Sequence, residues 1–255
     1  MLIKLIKYEF RSILRILIPI SIAFVVMTGL TFVVSSFSYD NIILKFIPSI
    51  MTLLYFVNLV MLMAAAYLFT IYRFYKNLIT SEGYLMFTLP VSAGMLIKSK
   101  LITALVTQVA SVVLCIVSLL TLSYAKYSLF DLTSFLQSFD EMASMTRLNG
   151  AVLITIVILF SLLSLILNNL MFYASIALGH TVAKNKIIGS VLCYIIINTV
   201  PQVVAVVLMI AVGFIVNHTI ILPIIITIVG VLNFVGCSAL YYLTRHYLSK
   251  KLNLE

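Results

Sequence analysis

An all-α membrane protein with six transmembrane helices is the fold this sequence predicts, and three observations predict it. Hydrophobic residues make up 64% of the 255 and charged residues only 9%, against about 25% charged in an average soluble domain. There is too little polar surface here to cover a water-exposed globule. The apolar residues gather into six runs, each long enough for the roughly 20 residues that a spanning helix needs. The cations collect between those runs, dense on one side and sparse on the other, as the positive-inside bias of spanning proteins requires.

Ahead of the first run, Lys4, Lys7, Arg11 and Arg15 recur at spacings of three and four, so they share one helical face. Leu2, Ile6, Phe10, Ile13 and Leu17 occupy the other. Residues 1–15 therefore predict an N-terminal interfacial amphipathic helix, its apolar face in acyl chains and its four cations at the membrane surface towards anionic headgroups. A plain basic flank is the alternative. The apolar run that follows is too long for a signal-peptide core and has no convincing small-x-small cleavage site, so it is read as a span.

The predicted spans are residues 16–37, 49–72, 101–124, 151–178, 187–216 and 220–243, within one transmembrane domain of 1–255. None carries Asp, Glu, Lys or Arg inside its edges. Pro201 and Pro223 lie in the fifth and sixth, where a kink is the expected consequence. A tight polar turn, Asn217-His218-Thr219, separates those two spans. The outer loop, 125–150, holds a second amphipathic stretch. Leu132, Phe135, Leu136 and Phe139 follow a helical period, while Asp131, Gln137, Asp140 and Glu141 are polar. A short helix on the outer leaflet, or one capping the bundle, fits this pattern.

Orientation follows from the cations. One set of connections holds Lys4, Lys7, Arg11, Arg15, Arg73, Lys76, Lys98, Lys100, Lys184, Lys186, Arg245, Lys250 and Lys251. The opposite set holds only Lys45, Lys126 and Arg147. Thirteen against three places both termini on the cytoplasmic side of the membrane. The net charge of +9 is thus spread through connecting segments rather than along one surface, and nucleic acid is not an expected partner.

Catalytic chemistry is not written in this chain. It has no G-x-x-x-x-G-K-[ST] phosphate loop, no H-E-x-x-H and no G-x-S-x-G. Cys115, Cys193 and Cys237 fall singly in three different spans, and His180, His218 and His246 stand apart from carboxylates and cysteines. No metal site, disulfide framework or cofactor follows from them. The spans also lack the ionisable groups on which proton- and ion-coupled carriers usually depend, which disfavours a secondary carrier.

The spans do contain amides. Asn58, Gln108, Asn198, Gln202 and Asn233 fall near the middle of their helices. An unpaired amide in hydrocarbon costs on the order of a few kcal/mol, so each must meet protein or water. They are either interhelical bonding groups or a polar lining for a translocation path. Asn168 and Asn169 sit nearer the inner end of the fourth span, where bonding between helices is the expected role.

The segment between the second and third spans, residues 73–100, is the most informative. Thr80 or Ser81 can cap a short helix, with Glu82 at the positive end of its dipole. Pro90 should stop that helix, and Ser92 can cap the next one. Tyr84, Leu85, Met86, Phe87 and Leu89 are a heavy apolar load for a cytoplasmic loop, so membrane or a partner protein should cover them.

The runs Arg73-Phe74-Tyr75-Lys76-Asn77-Leu78, Glu82-Gly83-Tyr84-Leu85 and Phe87-Thr88-Leu89-Pro90-Val91-Ser92 resemble the permease subunits of type-two ATP-binding-cassette exporters, in the short six-span group common in Gram-positive bacteria. The motif covers about twenty residues, and the six-span plan with a basic interior agrees along the whole chain. The resemblance implies that residues 73–100 form a coupling helix docking on a separate ATPase subunit, with Glu82, Gly83, Tyr84, Phe87, Leu89 and Pro90 at or beside the contact. It further implies two ATPase copies holding ATP and Mg, a second permease chain, identical or homologous, and export of an amphipathic peptide, antibiotic or lipid-like substrate. One departure is the minimal turn between spans five and six, where eukaryotic members of the fold carry their large outer loop. The rival reading is a membrane-embedded interaction or sensory subunit that moves nothing.

Overall fold

The computed structural model describes residues 2–37, 46–79, 91–124, 132–146, 149–182, 186–215 and 218–250. Those residues form seven helices and no strand. They are α1 (Leu2–Ser36), α2 (Phe46–Ile79), α3 (Ala93–Ser123), α4 (Leu132–Thr146), α5 (Gly150–Val182), α6 (Lys186–Ile215) and α7 (His218–Lys250). All but α4 are long and apolar enough to cross a membrane, which is the six-helix membrane protein expected. The short helix expected between Thr80 and Pro90 lies outside the described residues, as do residues 125–131 and Asn217 of the tight turn.

The helices outrun the predicted spans. At 1.5 Å per residue, the 33 residues of α5 extend about 50 Å, against a hydrocarbon core of about 30 Å. Hydropathy marks only the part that needs lipid, while the backbone hydrogen-bond ladder continues until something stops it. Lys76 in the last turn of α2 is favourable there, because a cation complements the carbonyl end of a helix. Pro90 and Ser92 precede the start of α3. There Leu96 N–H donates to the Ser92 carbonyl at 3.3 Å and Met95 N–H to the same oxygen at 2.9 Å, which makes Ser92 the N-cap residue.

The same continuity alters the reading of the N-terminus. α1 is unbroken from Leu2 to Ser36, with Pro19 inside it, so no change of element divides residues 1–15 from the first span. Its buried residues are Glu9, Ile13, Leu17, Phe24, Thr28, Thr31 and Ser35, one stripe at helical spacing. Ile13 and Leu17, expected in acyl chains, pack with Ala66 of α2. Protein, not lipid, covers that part of the apolar face.

The described residues fall into two compact units, 1–70 with 102–138, and 71–101 with 139–255. In the first, Phe24 of α1, Tyr55 and Leu62 of α2, and Cys115 and Leu122 of α3 form a buried cluster. The Phe24 and Tyr55 rings lie 5.8 Å apart at 31°. The Tyr55 hydroxyl and Ser118 Oγ are 2.7 Å apart. α3 turns a face of small polar residues inward: Thr103, Thr107, Ser111 and Ser118 are all buried. Small side chains let helices approach closely where lipid supplies no hydrophobic drive. Within the helix, the hydroxyl of Thr107 donates to the Thr103 carbonyl at 2.9 Å, that of Ser111 to the Thr107 carbonyl at 3.0 Å and that of Ser118 to the Cys115 carbonyl at 2.8 Å.

In the second unit α5 packs on both α6 and α7, whereas α6 and α7 touch little. Gly179 is the point of closest approach. A Cβ placed there would run into the backbone of Ser190, so only glycine admits this crossing. One helical turn or two away, the Phe172 and Tyr194 rings stack 4.4 Å apart at 9°.

Candidate functional site

Residues 80–90, with Glu82, Gly83, Tyr84, Phe87, Leu89 and Pro90, lie outside the described residues. The helix ends that flank them do not, and those ends are densely packed. On the α2 side, Phe74 and Leu78 are fully buried. Phe74 stacks on Tyr173 of α5, centroids 3.9 Å apart and rings nearly parallel at 6°. Tyr75 meets the His180 ring at 5.5 Å. On the α3 side, Leu96, Ile97 and Ser99 are buried, and so is Lys100. Lys100 Nζ donates to the Arg73 carbonyl at 3.5 Å, tying the first turn or two of α3 to the end of α2. α7 completes the arrangement: Lys98 Nζ lies 5.9 Å from the centre of the Tyr241 ring, and Gly94 faces the Tyr241 hydroxyl and the Arg245 side chain.

Chemically this is a packed frame. Aromatic stacking fixes ring orientation, and a buried lysine tolerates little displacement, because its charge must keep its polar contacts. A close-packed interior transmits displacement instead of absorbing it. Through Phe74 the end of α2 packs on α5, and through Gly94 the start of α3 lies against α7. Sequence reasoning singled out the segment and missed its frame. Tyr173 and Tyr241 are distant in sequence from that segment, and no local spacing links them to it.

The five amides separate into different environments. Gln108 in α3 is 1% exposed and already has a polar partner. Asn58 in α2 is half-buried. In the second unit Asn233 of α7 is half-buried, Asn198 of α6 is half-buried and Gln202 is exposed. Only Asn198 and Gln202 meet: Gln202 Nε2 donates to Asn198 Oδ1 at 3.4 Å, one turn apart on α6. Pro201 lies between them, and its missing N–H leaves the carbonyl four residues earlier without its helical donor. A polar patch thus sits in the middle of an apolar helix whose most apolar window has none of its residues buried. Asn169, in contrast, is fully buried, its Nδ2 donating to the Leu165 carbonyl at 2.8 Å.

Lys4, Lys7, Arg11 and Arg15 are all exposed on α1. Glu9, the one carboxylate of that helix, is 6% exposed and engaged in a polar interaction on the opposite, buried face. The sequence held a signal for it: an acid at the spacing of Ile13 and Leu17 shares their face.

Comparison with protein-family models, with curated proteins and with solved structures finds no match to this chain.

Proposed function

We propose that this chain is the membrane-spanning permease subunit of an ATP-driven exporter, coupled through residues 73–100 to a separate ATPase subunit. The observation that supports it is the packed frame of Phe74, Tyr173, Lys100, Gly94 and Tyr241, which joins both ends of that segment to α5 and α7. A loop that serves only to connect two spans needs no such frame. In this reading the basic ends of the helices are cytoplasmic, two permease chains assemble with two ATPase copies, and ATP and Mg stay on the ATPase. Closure of the ATPase pair moves the two coupling segments together, and the frame converts that movement into tilting of α5 and α7. The half-buried Asn198 and exposed Gln202 of α6 suit a second copy of the chain, since an amide in hydrocarbon needs a partner. Apolar spans favour an amphipathic peptide, antibiotic or lipid-like cargo.

The test is direct. The double substitution Tyr84→Ala and Phe87→Ala should release the ATPase on co-purification from native membranes and abolish transport, while abundance of the permease is unchanged. Full retention of an ATPase and normal transport would discard the coupling role and leave an interaction or sensory subunit as the better reading. Orientation is checked separately: with the native cysteines removed, a cysteine at Ser138 should react with an impermeant thiol reagent in intact cells and one at Asn77 should not. Labelling of Asn77 would reverse the topology.

A further inference from the structure

The cations of α1 do more than face a charged surface. Lys7, Arg11 and Arg15 stand on successive turns, about 6 Å apart along the axis, and with Phe10, Leu14 and Ile18 they line an open groove of about 570 Å³. None of the three cations has an ion-pair partner among the described residues, and Glu9 lies on the far side of the helix, buried. The groove therefore offers three uncompensated positive charges along an apolar floor. Its far end, Ile18, is 49% exposed and lies within the apolar run, while Lys7 is a further 11 residues, or about 16 Å, back along the axis.

We infer that this groove is a discrete site for one anionic glycerophospholipid. The headgroup phosphate sits between Arg11 and Arg15, whose guanidinium groups bind phosphate through paired hydrogen bonds, Lys7 adds long-range attraction, and an acyl chain lies over Leu14 and Ile18. The occupant is a lipid rather than a soluble anion because charged and apolar walls share one groove, which only an amphiphile satisfies at both ends. The site differs from general attraction to a charged bilayer in one checkable respect. Lys4 is as exposed as the others and belongs to the same basic set, yet it does not line the groove.

The experiment uses the full chain in nanodiscs of phosphatidylcholine with a minor fraction of phosphatidylglycerol, and native mass spectrometry to count retained lipids. The wild type should keep one phosphatidylglycerol per chain. Arg11→Gln and Arg15→Gln should each weaken retention about fivefold, Arg11→Lys, which keeps the charge but not the paired hydrogen bonds, should weaken it by less, and Lys4→Gln should leave it unchanged. Equal losses for Lys4→Gln and Arg11→Gln would reduce the groove to diffuse surface attraction and overturn the inference. Displacement by millimolar inorganic phosphate would overturn the lipid identity in favour of a simple anion site. All three substituted residues are exposed, and Lys4→Gln controls for any general loss of folding. No ATPase enters the measurement, so its outcome is independent of the exporter reading.

Discussion

The two compact units solve the same problem, stability in hydrocarbon, by different means. In α1, α2 and α3, between 22% and 28% of the most apolar window is buried within the chain. In α5, α6 and α7 the shares are 6%, 0% and 6%. Mean hydropathy does not explain the contrast, since α6 at 2.2 falls between α2 at 2.0 and α3 at 2.3. What differs is the distribution of small and polar side chains. α3 carries Thr103, Thr107, Ser111 and Ser118 on its inward face, and α1 and α2 pack with it. α6 meets α5 closely near its first residues, where Gly179 lies against Ser190, while its middle, mostly large apolar residues around Asn198 and Gln202, is largely exposed. A span without small residues on one face can be apolar enough to insert and still have little to pack against. In this chain such spans leave their surface for lipid or for another protein.

The strongest way to break this comparison is to close the approach at Gly179. Gly179→Ala puts a methyl group against the Ser190 backbone, and backbone cannot rotate away as a side chain can. The expected loss is about 3 kcal/mol or more, read as a lowered midpoint in thermal unfolding followed by circular dichroism. Gly29→Ala in α1 is the control, because nothing lies within 4 Å of its added methyl. It should raise stability by up to about 1 kcal/mol through helix propensity. Two substitutions of identical chemistry should thus have opposite signs. Should both be neutral, the α5–α6 crossing is looser than described.

The amides sharpen the comparison next. Gln108→Leu removes a buried amide that is engaged within the first unit and should cost about 1–3 kcal/mol of unfolding stability. The pair Asn198→Leu and Gln202→Leu removes polar groups from the middle of α6, where Asn198 is half-buried and Gln202 exposed. Its unfolding midpoint should stay unchanged, while energy transfer between labelled copies in one bilayer should fall, by about 0.6–2 kcal/mol of association per amide. A drop in the unfolding midpoint without loss of association would make these two amides part of the internal packing, and the contrast between the units would weaken.

How much of this was readable beforehand depends on what carries the information. Six spans were readable because 20 apolar residues in a row is a one-dimensional signal, and each of the predicted runs lies largely within a long helix. Helix ends were less readable. α1 begins at Leu2 and α3 at Ala93, because charges at Lys4 or Lys98 do not break a helix; they only cease to be lipid-soluble. The inward face of α1 was legible from Ile13 and Leu17, but its covering was not, since a face apolar enough for lipid is also apolar enough for Ala66. The candidate site divides in the same way. Residues 73–100 declared themselves through an apolar load between cations, whereas the frame of Tyr173, Gly94 and Tyr241 exists only once distant helices meet. The five midspan amides looked alike in sequence. Whether an amide bonds inside the chain, as Gln108 does, or faces outward, as Gln202 does, depends on helix rotation, which a single polar residue does not fix.

The smallest effect probes the polar chemistry of the better-packed unit, where Tyr55 and Ser118 join α2 to α3. Ser118 has one proton, and its Oγ donates to the Cys115 carbonyl at 2.8 Å. The Tyr55 hydroxyl, 2.7 Å away, must then be the donor of the bond between them. This assignment makes the two deletions unequal. Tyr55→Phe removes the donor and leaves a Ser118 oxygen that still has its own bond to the helix, so the cost should be small, about 0.5–1 kcal/mol. Ser118→Ala leaves a phenolic hydroxyl buried at 0% exposure without its acceptor, and an unsatisfied buried donor costs about 1–3 kcal/mol. The double variant removes both partners, so its loss should be less than the sum, with a coupling energy of about 0.6 kcal/mol, as is usual for hydrogen bonds between membrane helices. A double-mutant cycle by reversible unfolding in mixed micelles reads all three numbers. If Tyr55→Phe proves the more damaging change, the proton lies the other way, with Ser118 donating to Tyr55 and its bond to Cys115 given up. If coupling is absent, the contact between α2 and α3 is held by Phe24, Leu62 and Leu122 alone, and the polar face of α3 serves only to let the helices approach.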